Sequence, residues 1–439
     1  MKLDAHSLRA MVPALPRSAW RILTADLFSS LGTGLTMPFL MIYLTEVRHF
    51  SLTFAGLVLA LESAVGILLA APVGTLIDRV GAGRVFTLAL AVTGVATAGL
   101  GFATQPWHAV VAVVALGVAN PGMWAGFPAL ISEVVPEDKL GTVFGLSYQV
   151  MNVGIGLGGV LGGVIIGVAS PESLGLLFFL DGATFLVFTA VLLIGGEGRR
   201  GPARTGPSTV DSESTGLKSG YRAVLKDRAL LWATGINSIL ALAAFSQITS
   251  AFPAWAVGPG GAPAAAVGYA FAANTIVVII AQPVVLRLSR GRRRTSVTAV
   301  GAGFFALSWV IVVLAGAADS ATVAAICVIL GLAVFALGEV ALSPSLPVVV
   351  NSIATDELRG RYNTVFQLSR QIGGIGGPAV AGVAIAGQFA TAYILILAGA
   401  CLVAAIATKH LRTLLSDKHD GLDGTPERRD SDVEAPTAG

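Results

Sequence analysis

Residues 137–163 read EDKLGTVFGLSYQVMNVGIGLGGVLGG, and residues 356–382 read DELRGRYNTVFQLSRQIGGIGGPAVAG. The two stretches align without a gap. Gly141 matches Gly360, Gly154 matches Gly373, Gly158 matches Gly377 and Gly163 matches Gly382. Pro128 and Pro347, just upstream, fall at the same offset. One helical unit is therefore written twice, once in each half of the chain. Parallel repeats of this kind are a mark of transporters, with a binding site between the repeats near the bilayer midplane. Gly154, Gly158 and Gly162 recur every fourth residue and form one smooth stripe on a helix. Such stripes let two backbones approach closely. The spacing predicts either static packing or an interface between halves that slide.

Composition sets the solvent. Apolar residues make up 54% of the 439 residues and charged residues 12%, about half the ~25% of a soluble domain. Mean hydropathy is +0.79. The apolar residues come in blocks, many reaching the ~20 residues that span a bilayer. Soluble, disordered and collagenous classes are excluded. The blocks predict an all-α integral membrane protein of twelve spans, near 19–46, 52–77, 85–104, 108–134, 142–168, 173–195, 229–257, 264–288, 296–316, 321–350, 362–387 and 389–409. They lack the strict alternation of barrel strands and are too long for them.

Residues 196–228 are rich in Gly, Ser, Thr, Pro and charge and read as a linker, with one short amphipathic helix near Tyr221–Leu225. The expected organisation is a tail at 1–18, a six-helix bundle at 19–195, the linker at 196–228, a second bundle at 229–409 and a disordered tail at 410–439. Of the 28 lysines and arginines, only Arg48 and Arg370 lie off the side that holds both termini. That asymmetry predicts cytoplasmic termini. It also accounts for the net charge of +3 without nucleic acid.

The loop between the second and third spans reads GTLIDRVGAGR, residues 74–84. It resembles the signature loop of the major facilitator superfamily through Gly74, Asp78, Arg79, Gly81 and Arg84, with Ala82 and Gly83 departing from it. The fifth span resembles the antiporter motif of the same family: Gly145, Gly154, Gly158, Gly162 and Gly163 fit its spacing. Gly159 stands where the motif has proline, and the second copy has that proline, Pro378. Gly145 lies half a turn off the glycine stripe.

The resemblance covers the whole chain. It implies two pseudo-symmetric six-helix bundles, alternating access and export in exchange for protons, as in the twelve-span drug/proton antiporters. In the family, the carboxylate at Asp78 meets the N-terminus of the eleventh span, whose dipole favours an anion. That contact exists only while the cytoplasmic side is closed. The fourth span lacks the intramembrane arginine and RxxQG pattern of many drug antiporters.

Five ionisable residues fall well inside spans: Asp26, Glu62, Asp181, Glu339 and Arg370. A charge at mid-bilayer costs at least ~2.5–3.5 kcal/mol, so each needs a cavity or a partner. Glu339 on the tenth span, which lines the cavity in the family, is the first candidate for proton coupling or substrate binding, with Arg370 as its partner. Asp26 and Glu62 follow, and Asp181 reads as structural. Asn120 and Trp124 on the fourth span are candidates to line the cavity.

Cys327 and Cys401 read as buried apolar residues, and the five histidines show no metal spacing. There is no GxxxxGK[ST], HExxH or GxSxG. No enzyme activity, metal or cofactor is expected beyond the proton as coupling ion. The sequence thus predicts a monomeric secondary transporter of a small molecule in the bacterial inner membrane. The first reading is a proton-coupled exporter of small amphipathic compounds such as drugs. The competing readings are a carrier of one metabolite and a transport-dead sensor or assembly subunit. A sensor would show an appended signalling domain.

Overall fold

The computed structural model describes residues 15–136, 139–168, 173–199, 201, 224–355, 358–387 and 389–422. Among the described residues every regular element is helical. The long helices are α1 (Arg17–Thr36), α2 (Leu52–Val80), α3 (Ala82–Gly101), α4 (Pro106–Val134), α5 (Leu140–Val168), α6 (Ser173–Gly195), α7 (Arg228–Ala243), α8 (Ala264–Ser289), α9 (Arg294–Leu314), α10 (Ala321–Leu342), α11 (Arg359–Ala386) and α12 (Ala390–Leu414).

Among the described residues, eleven helical spans are long and apolar enough to cross a bilayer. That departs from the twelve expected. The exception is α11, whose first half carries Arg359, Arg361, Asn363, Gln367, Arg370 and Gln371.

Local chemistry sets the ends of these helices. Ser51 caps α2 by accepting from the Phe54 N–H, and Ser320 caps α10 by accepting from Val323. Asp227 caps α7 through the N–H groups of Ala229 and Leu230. Each cap satisfies donors that the helix itself leaves unpaired. A single residue, Gly81, ends α2 and starts α3, at φ 101°. A side chain is strained at that angle, so this turn of the signature loop depends on glycine.

Three helices are broken where they meet the molecular interior. After Thr36, α1 passes through a 3-10 turn at Met37–Phe39 that contains Pro38. α7 stops at Ala243 and resumes as a short helix at Ala251–Val257. α10 stops at Leu342 and resumes at Leu346–Ile353, across Pro344. Proline removes a helical hydrogen bond, and irregular backbone at membrane depth is tolerated where it lines a cavity or is buried in protein.

The helices pack as two copies of one arrangement. In the first half α1 lies against α5 and α6, α3 against α4 and α6, and α2 against α4. In the second, α7 lies against α11 and α12, α9 against α10 and α12, and α8 against α10. The halves meet along two seams, α5 with α8 and α11 with α2.

Those seams close at one end only. A Cβ at Gly56 on α2 would meet the backbone of Gly382 at 2.9 Å, and one at Gly163 on α5 would meet the Ala265 carbonyl at 2.9 Å. At the end that carries the basic loops, Gly74, Gly141, Gly145 and Gly360 have nothing within 4 Å. The cleft between the halves therefore opens toward the arginine-rich end.

The far end of the chain departs from the expected disordered tail. α12 runs to Leu414, and a turn over 416–422 docks on the start of α9. Asp420 is fully buried there. It accepts from the Thr295 N–H and hydroxyl at 2.8 Å each. A carboxylate at a helix N-terminus satisfies orphan donors and complements the dipole. Residues 423–439, most of the 196–228 linker, and most of the short helix expected at Tyr221–Leu225 lie outside the described residues.

Candidate functional site

Glu339 sits on α10, partly buried, in the wall of the cleft. Its Oε2 accepts a hydrogen bond from Asn274 Nδ2 of α8 at 2.8 Å. The expected partner, Arg370 on α11, forms no ion pair with it among the described residues. Arg370 remains within electrostatic reach of Glu339. Its guanidinium lies over the Phe245 ring, 5.1 Å from the centroid. Phe245 belongs to the break after α7 and packs edge-on against Phe305 and Phe335. A cation–π contact holds the arginine without neutralising the carboxyl. Tyr148 of α5, on the opposite half, also lies within electrostatic reach of Glu339. Carboxyl, amide, guanidinium, phenol and aromatic ring thus converge on the open cleft from both halves. Together they can accept or release a proton and meet a polar group on an apolar molecule.

Asn274 was not visible in the sequence reading. Asn120 stands out in the sequence because it adjoins Pro121, whereas Asn274 lies in the uniform apolar run AFAANTIVV with nothing beside it to mark it.

The other expected site residues lie elsewhere. Asp26 on α1 accepts from the Ser147 hydroxyl of α5 at 3.3 Å, within the first half. Glu62 on α2 lines a cavity of about 330 Å³, together with Asp181 of α6. Asp181, the acid expected to be structural, has one carboxyl oxygen buried without a partner among the described residues. Asn120 lies beside Gly66 of α2, and Trp124 is 70% exposed one turn further along α4.

The glycine stripe has a different neighbour from the one expected of sliding halves. A Cβ at Gly154 would meet Ser30 and the Leu27 carbonyl, and one at Gly158 would fall on the Leu31 carbonyl. A Cβ at Gly162 would meet Phe39 and the Leu35 carbonyl. All five neighbours belong to the first helix or its continuation, so the stripe is packing inside the first half. The seam between halves uses the adjacent face of α5: Gly156 against Thr275, Gly159 against Gly268 and Gly163 against Ala265. The two faces differ by only a residue or two in register.

The second copy repeats the division. Gly373 and Gly377 pack on Ala241 and Ser246, in α7 and just beyond its end, while the Pro378 carbonyl and Gly382 meet Gly56 of α2. Gly145 has no neighbour within 4 Å.

A family model described as Major Facilitator Superfamily matches residues 22–378. The chain belongs to the major facilitator superfamily. It is 26% identical to an uncharacterized MFS-type transporter, YqjV, of Bacillus subtilis, over 84% of this chain and 86% of that one. A shorter match, also 26% identical, covers 33% of this chain and 34% of a Na(+), Li(+), K(+)/H(+) antiporter of Planococcus maritimus. Among solved structures, a POT family transporter in complex with 5-aminolevulinic acid superposes with a TM-score of 0.72. It shares 14% identity and covers 91% of this chain and 97% of that one, a likeness of fold alone.

This superfamily member is a multi-pass membrane transporter, and its signature loop has a definite place in the fold. Gly81 makes the α2–α3 turn, and Arg84 donates to the Arg199 carbonyl at 3.3 Å. Asp78 and Arg79 are exposed at the open end. Asp78 has no hydrogen bond or ion pair among the described residues, and the expected contact with the start of α11 is absent here.

Proposed function

We propose that this transporter exports small amphipathic compounds in exchange for protons, by alternating access in a bacterial inner membrane. By this reading both termini are cytoplasmic and the cleft opens to the cytoplasm. α11 completes twelve crossings, its polar residues turned to the cleft rather than to lipid. Substrate enters the cleft and packs its apolar part on rings such as Trp124, Tyr148 and Phe245.

The observation that carries the reading is the placement of Glu339. It lies in the cleft wall, held by a neutral amide and only near a cation. Rocking of the halves changes its distance to Tyr148, its access to water and its surroundings. Its proton affinity then differs between the two forms. One pKa unit is worth ~1.4 kcal/mol, and one proton crossing ~100 mV supplies ~2.3 kcal/mol. The scales match, so proton entry can drive solute exit.

Closure of the cytoplasmic end brings Asp78 to the N-terminus of α11. That contact favours the closed form by about 0.3–2 kcal/mol.

Glu339→Gln tests the proposal in everted vesicles. The variant keeps the shape and a hydrogen bond to Asn274 but cannot release a proton. Gradient-driven accumulation should vanish while gradient-free solute exchange survives. Accumulation at the wild-type level by this variant would remove Glu339 from the coupling step.

A further inference from the structure

The arginine-rich end of the second half carries a cavity of about 140 Å³, between the α8–α9 turn, the break in α10 and the docked turn near the end of the chain. Arg290, Arg292 and Arg294 line it, with Ser289, Ser345 and Gly421, and among the described residues no acidic side chain does. None of the residues placed in the proton site lines it.

The turn is built locally. The Ser289 carbonyl accepts from the Arg292 N–H at 3.1 Å, and Gly291 takes φ 69°. A tight turn of this kind favours glycine at its third position. It brings Arg290 and Arg292, on either side of Gly291, to one cavity.

The four arginines of this segment fare differently. Arg293 takes both nearby acids, Asp417 at 2.7 Å and Asp420 at 3.4 Å. Arg294 donates to the His419 carbonyl at 3.0 Å. Arg290 and Arg292 are exposed, and their side chains have no hydrogen bond or ion pair among the described residues. Four arginines thus face two carboxylates, and two positive charges stay uncompensated. A topology signal needs basic residues on this side of the membrane. It does not need them unpaired around one cavity.

An apolar track leads to the same place. Ile280, Val284 and Leu288 recur every fourth residue along α8 and are 65%, 52% and 57% exposed. Thr275 meets α5, and Val278 packs with Ala336 and Val340 of α10. The stripe runs on the side of α8 that those contacts leave free, and it ends two residues before Arg290.

We infer that this cavity binds the phosphate group of one anionic phospholipid, with an acyl chain lying along Ile280, Val284 and Leu288. Guanidinium forks match phosphate oxygens two at a time. The cavity is well below the ~300–1,000 Å³ of pockets that enclose drug-sized ligands, so it takes the phosphate and leaves the chains outside. Two unpaired arginines call for a headgroup of net negative charge. In phosphatidylcholine the ammonium cancels the phosphate and leaves those charges unmet. A free phosphate offers the same oxygens but nothing for the apolar stripe. All the walls belong to the second half, so the lipid ties α8, α9 and α10 together without crossing the cleft. The site rests on no part of the export reading.

The experiment is native mass spectrometry of the delipidated full-length protein, titrated with phosphatidylglycerol or phosphatidylcholine of the same chains. Wild type and Glu339→Gln should each show one saturable site that prefers phosphatidylglycerol. Arg290→Gln and Arg292→Gln should each weaken that binding about fivefold, the factor that corresponds to ~1 kcal/mol per basic residue at an anionic surface. Together they should erase the preference. Arg17→Gln, an exposed charge at the same end of the first half, should leave it unchanged. A variant with Arg290→Lys and Arg292→Lys keeps the charge and the topology signal but loses the paired N–H forks, so it should bind several-fold more weakly. It carries the test if the Gln variants do not insert. Equal affinity of wild type for the two lipids would overturn the assignment. So would wild-type binding by the Lys variant, or an equal loss in Arg17→Gln, either of which would mean diffuse surface charge. Displacement of the lipid by inorganic phosphate would overturn it too, by making the cavity a site for the free anion.

Discussion

α5 and α11 are copies of one helix, and they differ where chemistry would be expected and agree where packing would be. Both turn one glycine face to the first helix of their own half: Gly154 and Gly158 to α1, and Gly373 and Gly377 to α7 and the turn after it. Both turn the next face to the opposite half, to α8 and α2 respectively. Close backbone approach is what a membrane interior rewards, because lipid offers no hydrophobic drive for helix association. That requirement is the same in each half.

The charged groups are not duplicated. Arg370 on α11 aligns with Met151 on α5, and Glu339 on α10 aligns with Asn120 on α4. The second half puts its acid in the cleft wall, whereas in the first half Glu62 and Asp181 line the cavity behind α1 and Asp26 lies between α1 and α5, with Asp181 alone of the three buried. The duplicated pattern builds the scaffold, and the departures from it mark the sites.

The sharpest way to break this comparison is to treat the aligned pair alike. Glu339→Gln should abolish gradient-driven transport in everted vesicles. Asn120→Ala, at the matching place, should leave gradient-driven uptake substantially active. Equal losses would mean that the halves share the chemistry after all.

The two glycine faces give the next contrast. Gly158→Leu and Gly377→Leu should each destabilise the protein, since overpacking costs about 1–3 kcal/mol or more. Gly156→Leu, on the seam, should fold and bind substrate yet fail to close the end opposite the arginine-rich loops, so transport stops. Melting temperature and transport measured on the same preparations separate the faces. Wild-type stability for Gly158→Leu would contradict the packing seen here.

A smaller effect is expected at the signature loop. Asp78→Asn should slow transport by roughly 2- to 30-fold, the bias that corresponds to ~0.3–2 kcal/mol at a helix N-terminus. A cysteine at Gly145 should then label faster, because the open form gains population. An unchanged labelling rate would reduce the loop to a turn and a topology signal.

A further contrast, in stability rather than transport, lies where each half ends. The last helix of each half runs into a turn with a buried acid, docked on the third helix of that half. Glu197 is held by Arg21, beside Gly83 and near Thr87 of α3. Asp420 is held by Thr295, with Arg293 at 3.4 Å. Asp417 and Asp420 also raise the pKa of Arg293 and keep it charged. Asp420→Ala leaves the buried Thr295 N–H unpaired, a loss of about 1–3 kcal/mol. Glu197→Gln should cost less, because the glutamine oxygen still accepts from the half-exposed Arg21 and no backbone donor is left unpaired. Thermal unfolding in detergent ranks the two, and the reverse order would show that the two docks are not equivalent.

Much of the fold was legible because its signals are local. Apolar blocks, short loops and one-sided basic residues need no tertiary information. The gap-free match of two glycine-rich segments exposed the duplication directly. The site was less legible. The sequence named Glu339 and Arg370 and paired them by opposite charge. It passed over Asn274, which supplies the actual hydrogen bond. It also marked the Gly154–Gly158–Gly162 stripe without naming its neighbour, since a smooth face is equally suited to any helix.

The sequence by itself determined that the chain crosses a membrane many times, that its halves repeat and that its basic residues share one side. These follow from composition and period, which act residue by residue. Only the tertiary structure decided which glycine face meets which half, which end of the cleft is open and which oxygen of Asp181 lacks a partner. Those depend on relative rotations of helices by less than one turn. Neighbouring faces of an apolar helix have nearly the same composition, so sequence period does not distinguish them.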